Sequence, residues 1–108
     1  MAEKRIENMC GGEGHVIIQE ILDEKRLNGK CGLYAQVTLE EGCSVGYHEH
    51  HNESETYYIL SGEGEYNDNG TVRCVKSGDV TFTPDNCGHG LKNTGKEDLV
   101  FMALIILD

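Results

Sequence analysis

Apolar and polar residues alternate over residues 32–39, where Leu33, Ala35, Val37 and Leu39 oppose Tyr34, Gln36 and Thr38. Side chains two apart share a face of a strand, so this pattern predicts a strand with one face in a core. Comparable short blocks recur at residues 15–23, 44–50, 54–60, 62–67, 71–76, 80–83, 89–93 and 98–107. Turn signals separate them: Glu40-Glu41-Gly42, Ser77-Gly78-Asp79, Thr94-Gly95-Lys96 and Asp68-Asn69-Gly70. In the last of these, Asn-Gly favours the type I′ turn of a two-residue hairpin. About nine short strands at even spacing predict an all-β sandwich or barrel. Helix is expected only in the first ten residues and over residues 20–28.

The final block is apolar on both faces, with Leu99, Phe101, Ala103, Ile105 and Leu107 on one and Val100, Met102, Leu104 and Ile106 on the other. Such a run predicts burial on both sides. A small barrel has a single interior, so the outer face is expected in a two-fold homodimer interface, or else under a second sheet or the N-terminal segment.

With 108 residues the chain fits one domain, residues 1–108, in which residues 1–14 form an N-terminal segment. A net charge of −10 excludes a nucleic-acid partner and disfavours anionic membrane surfaces, because both need clustered Lys and Arg. The charge serves solubility first, and its field also draws cations. No apolar core of a signal peptide precedes residue 10, and the apolar run at 99–107 is too short for a membrane-spanning helix, so a cytoplasmic protein is expected. Cys10, Cys31, Cys43, Cys74 and Cys87 form no CxxC pair and read as free thiols of a reducing cytosol.

Candidate chemistry is concentrated between Gly42 and Glu55. His48 and His50 lie two apart on one strand and point to one interior. Glu55 follows a short polar loop at the start of the next strand, and an antiparallel return brings its carboxylate to the same point. His89 opens a later strand after another turn. Three imidazoles and a carboxylate inside a barrel are costly unless something coordinates them, and a divalent ion offsets that cost.

These residues also carry a family pattern. Gly42, His48, His50, Glu55 and Gly62 fill a first motif over residues 42–62, and Gly78, Pro84, His89 and Asn93 fill a second over residues 78–93. The chain thereby resembles the cupin superfamily of small conserved-barrel proteins. The resemblance implies a jelly-roll-like cupin β-barrel with His48, His50, Glu55 and His89 as metal ligands. One position departs from the pattern: Asn86 stands where the family has glycine, and asparagine is the next residue most tolerant of positive φ.

Around the ligands, Tyr34, Gln36, Tyr47 and Tyr57 are candidates to line a substrate pocket, and alternation favours Tyr57 because it shares a face with Glu55. His51 is expected in an exposed loop, Cys43 and Cys87 as small packed residues, His15 as structural, and Asn93 as a turn or supporting residue. Imidazole and carboxylate together suit one divalent transition metal, Fe, Mn, Ni, Co or Zn, over Ca or Mg. Four protein ligands on an octahedral ion leave two positions for a bidentate small molecule, such as a hydroxy-ketone, enediol or hydroxy acid, or one for O₂. Three functions follow: a small dioxygenase, a non-redox isomerase or lyase with a Lewis-acid metal, and a small-ligand-binding protein without turnover.

Overall fold

A computed structural model of the chain describes residues 3–108. Its strands are β1 (Glu3–Glu7), β2 (His15–Glu20), β3 (Cys31–Leu39), β4 (Ser44–Glu49), β5 (Glu53–Ser61), β6 (Glu63–Asp68), β7 (Thr71–Lys76), β8 (Val80–Thr83), β9 (Gly88–Asn93) and β10 (Leu99–Leu107). They form a six-stranded sheet in the order β1-β2-β3-β10-β5-β8 and a four-stranded sheet in the order β4-β9-β6-β7. The pairings are antiparallel, and among the described residues no ladder joins the two sheets. The all-β expectation therefore holds, in the form of two sheets facing each other across a shared interior.

That interior is filled by the inward set of each strand. Val37 and Leu39 of β3, Tyr57 and Ile59 of β5, and Leu99, Phe101 and Ala103 of β10 are buried together, with Val45, Tyr66, Val75 and Leu91 facing them from the smaller sheet. The alternation over residues 32–39 is realised as read, with the Leu33, Ala35, Val37 and Leu39 face turned inward. The hairpin at Asn69-Gly70 has both residues at positive φ, 50° and 101°, as a type I′ turn requires.

The helical expectation is corrected at the N-terminus. Residues Glu3–Glu7 pair with β2 in register, Glu3 opposite Gln19 and Glu7 opposite His15, and Lys4 reaches Glu20 at 2.7 Å. An exposed sheet edge offers this segment a complete backbone ladder, which a polar eight-residue helix without an apolar stripe cannot match. Among the described residues α-helix is confined to residues 20–28, as the single turn α1 (Glu24–Leu27). The Asp23 side chain accepts from the Arg26 amide at its start, and Asn28 ends it in the left-handed region at φ 54°.

Among the described residues nothing covers the outer face of β10, because the smaller sheet packs on the inner face and β1 lies at the sheet edge. Val100, Met102 and Leu104 are half-buried and Ile106 is exposed. Their neighbours Tyr58, Val80 and Phe82, on β5 and β8, continue this face into solvent. Among the described residues no helix is long and apolar enough to cross a membrane.

A 3₁₀ turn at Met9–Gly11 crosses β4 at a point where only glycine fits. A Cβ on Gly46 would lie 2.1 Å from the Cys10 carbonyl oxygen, and one on Gly12 would lie 2.2 Å from that of Ser44. Gly46→Ala should therefore separate the turn from the strand and lower unfolding stability by about 1–3 kcal/mol. An unchanged midpoint in a urea titration would show that the two backbones are not in contact.

Candidate metal centre

The ligand candidates come from three strands and the loop after β4. His48 lies near the end of β4 and pairs across the ladder with His89 of β9. A register shift between Val45 and His48 lets β4 bend over the interior. His50 follows the strand and is fixed by two backbone bonds: its amide donates to the Cys87 carbonyl, and its own carbonyl accepts from the Asn86 amide. Asn86 has φ 67°, so asparagine adopts the left-handed conformation that glycine takes elsewhere in the family pattern. Glu55 lies near the start of β5, between β10 and β8.

One potential ligand atom from each of His48, His50, Glu55 and His89 falls within 4.8 Å of every other. His89 Nε2 lies 3.0 Å from His50 Nε2, 3.1 Å from His48 Nε2 and 2.9 Å from Glu55 Oε1, and His50 Nε2 lies 2.9 Å from the same Oε1. The His48–Glu55 separation is longer, 3.9 Å. Atoms about 3 Å apart are adjacent vertices around an ion whose ligand bonds are about 2.1 Å.

The far side of each imidazole already has a partner. His48 Nδ1 donates to the Gly46 carbonyl at 2.8 Å, and His50 Nδ1 contacts the Glu53 carboxylate. His89 Nδ1 meets Thr83 Oγ1 at 2.8 Å and the Tyr66 hydroxyl at 3.0 Å. A neutral ring that donates through Nδ1 presents a lone pair at Nε2. Three lone pairs and a carboxylate then meet at one point with few protons among them, and a metal cation satisfies that arrangement.

Electrostatics agree with the donor set. Burial works to raise the Glu55 carboxyl, but the His48, His89 and His50 imidazoles around it outweigh that effect and hold its pKa at about 2. Burial lowers the His89 imidazole. Both directions keep the pair in the coordinating forms, carboxylate and neutral ring. Burial, and then Glu55, push the Tyr57 hydroxyl well above its usual range, so it remains a neutral donor beside the carboxylate. Its ring stacks on His89 at 4.7 Å between centroids.

A cavity of about 170 Å³ opens beside this group. His48, His50, Glu55, Tyr57 and Cys10 form part of its wall, and the rest is apolar, with Val16, Ile18, Val37, Val45, Phe101 and Ala103 buried and Met9, Leu33 and Ile105 half-buried. Tyr34 and Gln36, two of the other pocket candidates, stand on the opposite face of β3 from Leu33 and Val37 and are not part of this wall. A strand cannot present neighbours of both parities to one interior. Tyr47 is exposed, with its hydroxyl directed to Asn69.

The remaining residues singled out in the sequence occupy structural places. His51 is exposed and contacts Asn86 Oδ1 at 3.0 Å. His15 pairs with Glu40, Cys43 lies in the core, and Cys87 lies outside the metal-ligand group. Asn93 is buried at the second-motif turn, where its Nδ2 donates to the Leu39 and Glu97 carbonyls and its Oδ1 accepts from the Gly95 amide. Sequence reasoning did not identify Glu53, Tyr66 and Thr83, the partners of the imidazoles. Glu53 was accessible as a carboxylate three residues from His50, whereas Tyr66 and Thr83 reach His89 only through the pairing of the sheets.

Comparison with known proteins gives a consistent neighbourhood. The family profile described as the cupin domain matches residues 35–106. An oxalate-binding protein of Thermotoga maritima is 46% identical over 104 residues, covering 96% of this chain and 86% of the relative. The oxalate decarboxylase of Bacillus subtilis is 35% identical over 75 residues, 65% of this chain but only 20% of that protein. Among solved structures, a predicted oxalate decarboxylase from Thermotoga maritima superposes with a TM-score of 0.96 at 44% identity, covering 100% of this chain and 94% of that one. The cupin domain of Schizosaccharomyces pombe Cnp3, at 17% identity and a TM-score of 0.79 over 97% of this chain and 69% of that one, shares the fold.

The Glu53–His50 contact generates a test of orientation. Partners on the far side of a ligating histidine are generally worth 10–100-fold in metal affinity. Glu53→Gln should weaken Co(II) binding by about that factor in a competition titration against a chelating dye, with unfolding unchanged within about 1 kcal/mol. Unaltered affinity would mean that Glu53 does not orient the ring.

Proposed function

We propose, from the premise that this chain belongs to the cupin family, that it holds one divalent transition metal through His48, His50, Glu55 and His89 and binds a small oxygen chelator there. The observation that carries this reading is the convergence of three imidazole Nε2 atoms and one carboxylate oxygen, each imidazole tied through its other nitrogen. Mn, Fe, Co, Ni and Zn all suit such a donor set. When bound, the ion supplies Lewis-acid attraction for a carboxylate and an adjacent oxygen. The relatives' names, oxalate-binding and oxalate decarboxylase, belong to the same ligand chemistry.

Binding is favoured over turnover by the cavity wall. Apart from the ligands themselves, its polar side chains are Tyr57 and Cys10. A lyase, an isomerase or a dioxygenase acting here has the Tyr57 hydroxyl as its neutral proton donor, and the wall offers no carboxylate or imidazole outside the ligand set. Five unbridged cysteines fit a cytoplasmic setting.

The decisive experiment is metal analysis of anaerobically purified protein by plasma mass spectrometry. About one transition-metal ion per chain is expected, falling to background in His50→Ala and Glu55→Ala. Unchanged metal in those variants would remove the site. O₂ uptake and product release with oxalate as the trial ligand would then separate turnover from binding.

A homodimer across the outer face of the larger sheet is proposed alongside. Ile17, Tyr34, Met102, Leu104, Tyr58, Val80 and Phe82 lie on that face, and the outward positions of β10 carry no charge. A second copy matches the uncharged centre of this face, away from Glu3, Arg5 and Glu7 at its β1 edge, better than a polar partner does. Sedimentation equilibrium should give a dimer that Met102→Lys converts to monomer. A monomeric parent chain would overturn this proposal.

A further inference from the structure

The cavity beside the metal ligands is chemically uneven, and the unevenness bears on which chelator it admits. This inference rests on the binding role proposed above. The wall carries no lysine or arginine. Its charged member is Glu55, and its polar atoms beyond the ligands are the Tyr57 hydroxyl and the Cys10 thiol. Val16, Ile18, Val37, Val45, Phe101 and Ala103, all buried, form the remainder of its inner surface.

Two physical consequences follow. A divalent ion, the Glu55 carboxylate and a monoanionic ligand sum to zero charge, whereas a dianion leaves one negative charge in an apolar cavity without a counter-ion. In addition, a chelated dicarboxylate turns two further oxygens toward the wall, where they need donors that the valines, Phe101 and Ala103 do not supply. An alkyl group in the same place is buried favourably.

We infer that this site selects a 2-oxo or 2-hydroxy monocarboxylate with a short alkyl chain. The carboxylate and the C2 oxygen face the metal ligands, Tyr57 donates to one of them, and the alkyl chain lies among Val16, Val37, Phe101 and Ala103.

The test uses the Co(II)-loaded protein, with visible absorption reporting ligand entry at the ion and calorimetry reporting affinity. The probes are pyruvate, 2-oxobutanoate and 2-oxopentanoate, with oxalate as the dianion. Metal chelation is nearly constant along the first three, so the cavity determines their order. Each added methylene should tighten binding about 4-fold, the equivalent of about 0.8 kcal/mol per buried CH₂. Ile105→Arg, which places a cation at the rim, should shift the ratio of oxalate to 2-oxobutanoate affinity at least about tenfold toward oxalate. A flat or falling chain-length series with clear oxalate binding would overturn this inference and leave the binding role intact. Absorption unchanged by every probe would overturn both.

Discussion

The interior of this protein contains one point where apolar packing is suspended, and much of the rest is arranged around it. His50, Glu55 and His89 are each 5% exposed or less, within a core otherwise made of valine, leucine, isoleucine and aromatic rings. Charged and polar groups at such depth are stable only when each has a partner of suitable chemistry. The outward nitrogens have theirs in protein groups. The inward atoms have only one another, at separations near 3 Å. A cation at their centre, as proposed, would convert mutual crowding into coordination and would link folding to metal binding.

Holding that point in place falls to elements distant in sequence. β4 and β9 of the smaller sheet supply His48 and His89, while β5 of the larger sheet supplies Glu55. The two sheets must keep their spacing for the atoms to meet. Tyr57 does part of this, lying against His89 on one side and Phe101 at 4.5 Å on another. Tyr66 does more, because its buried hydroxyl bridges Thr83 of β8 and His89 of β9 and so links the sheets by hydrogen bonds where no ladder does. The 3₁₀ turn at Met9–Gly11 lies over β4 from outside and contributes Met9 and Cys10 to the cavity rim.

Much of this was legible before any coordinates. Alternation located the strands because a half-buried strand has a period of two, and the Asn69-Gly70 turn was legible because few other pairs accept two positive φ values. Motif spacing picked out His48, His50, Glu55 and His89 as candidates, and the fold brings them together; Asn86 at φ 67° explains how the motif tolerates its one substitution. Two things were not legible. The strand at Glu3–Glu7 has no apolar pattern, since it is held by backbone bonds to an edge and by exposed side chains, so its sequence reads as an undecided polar segment. Tyr34 and Gln36 looked like pocket residues by type, but parity on β3 had already placed them outside with Thr38. For a strand, parity is a stronger constraint than residue type.

The apolar cavity and the polar centre are two parts of one device. In water, a carboxylate ligand competes with solvent for a metal ion, and its attraction is weakened by the high dielectric. Beside Glu55 the wall is hydrocarbon, so the same attraction acts over a few ångströms with little screening. The absence of a lysine or arginine from that wall then acquires meaning. A basic side chain would hold an anion by itself and compete with the metal for its carboxylate. Without one among the described residues, anion binding at the proposed site would depend on the ion held by the His48, His50, Glu55 and His89 cluster. In the proposed complex, ligand affinity and metal occupancy would be coupled by that arrangement, and the apolar walls would govern which ligand the coupled site accepts.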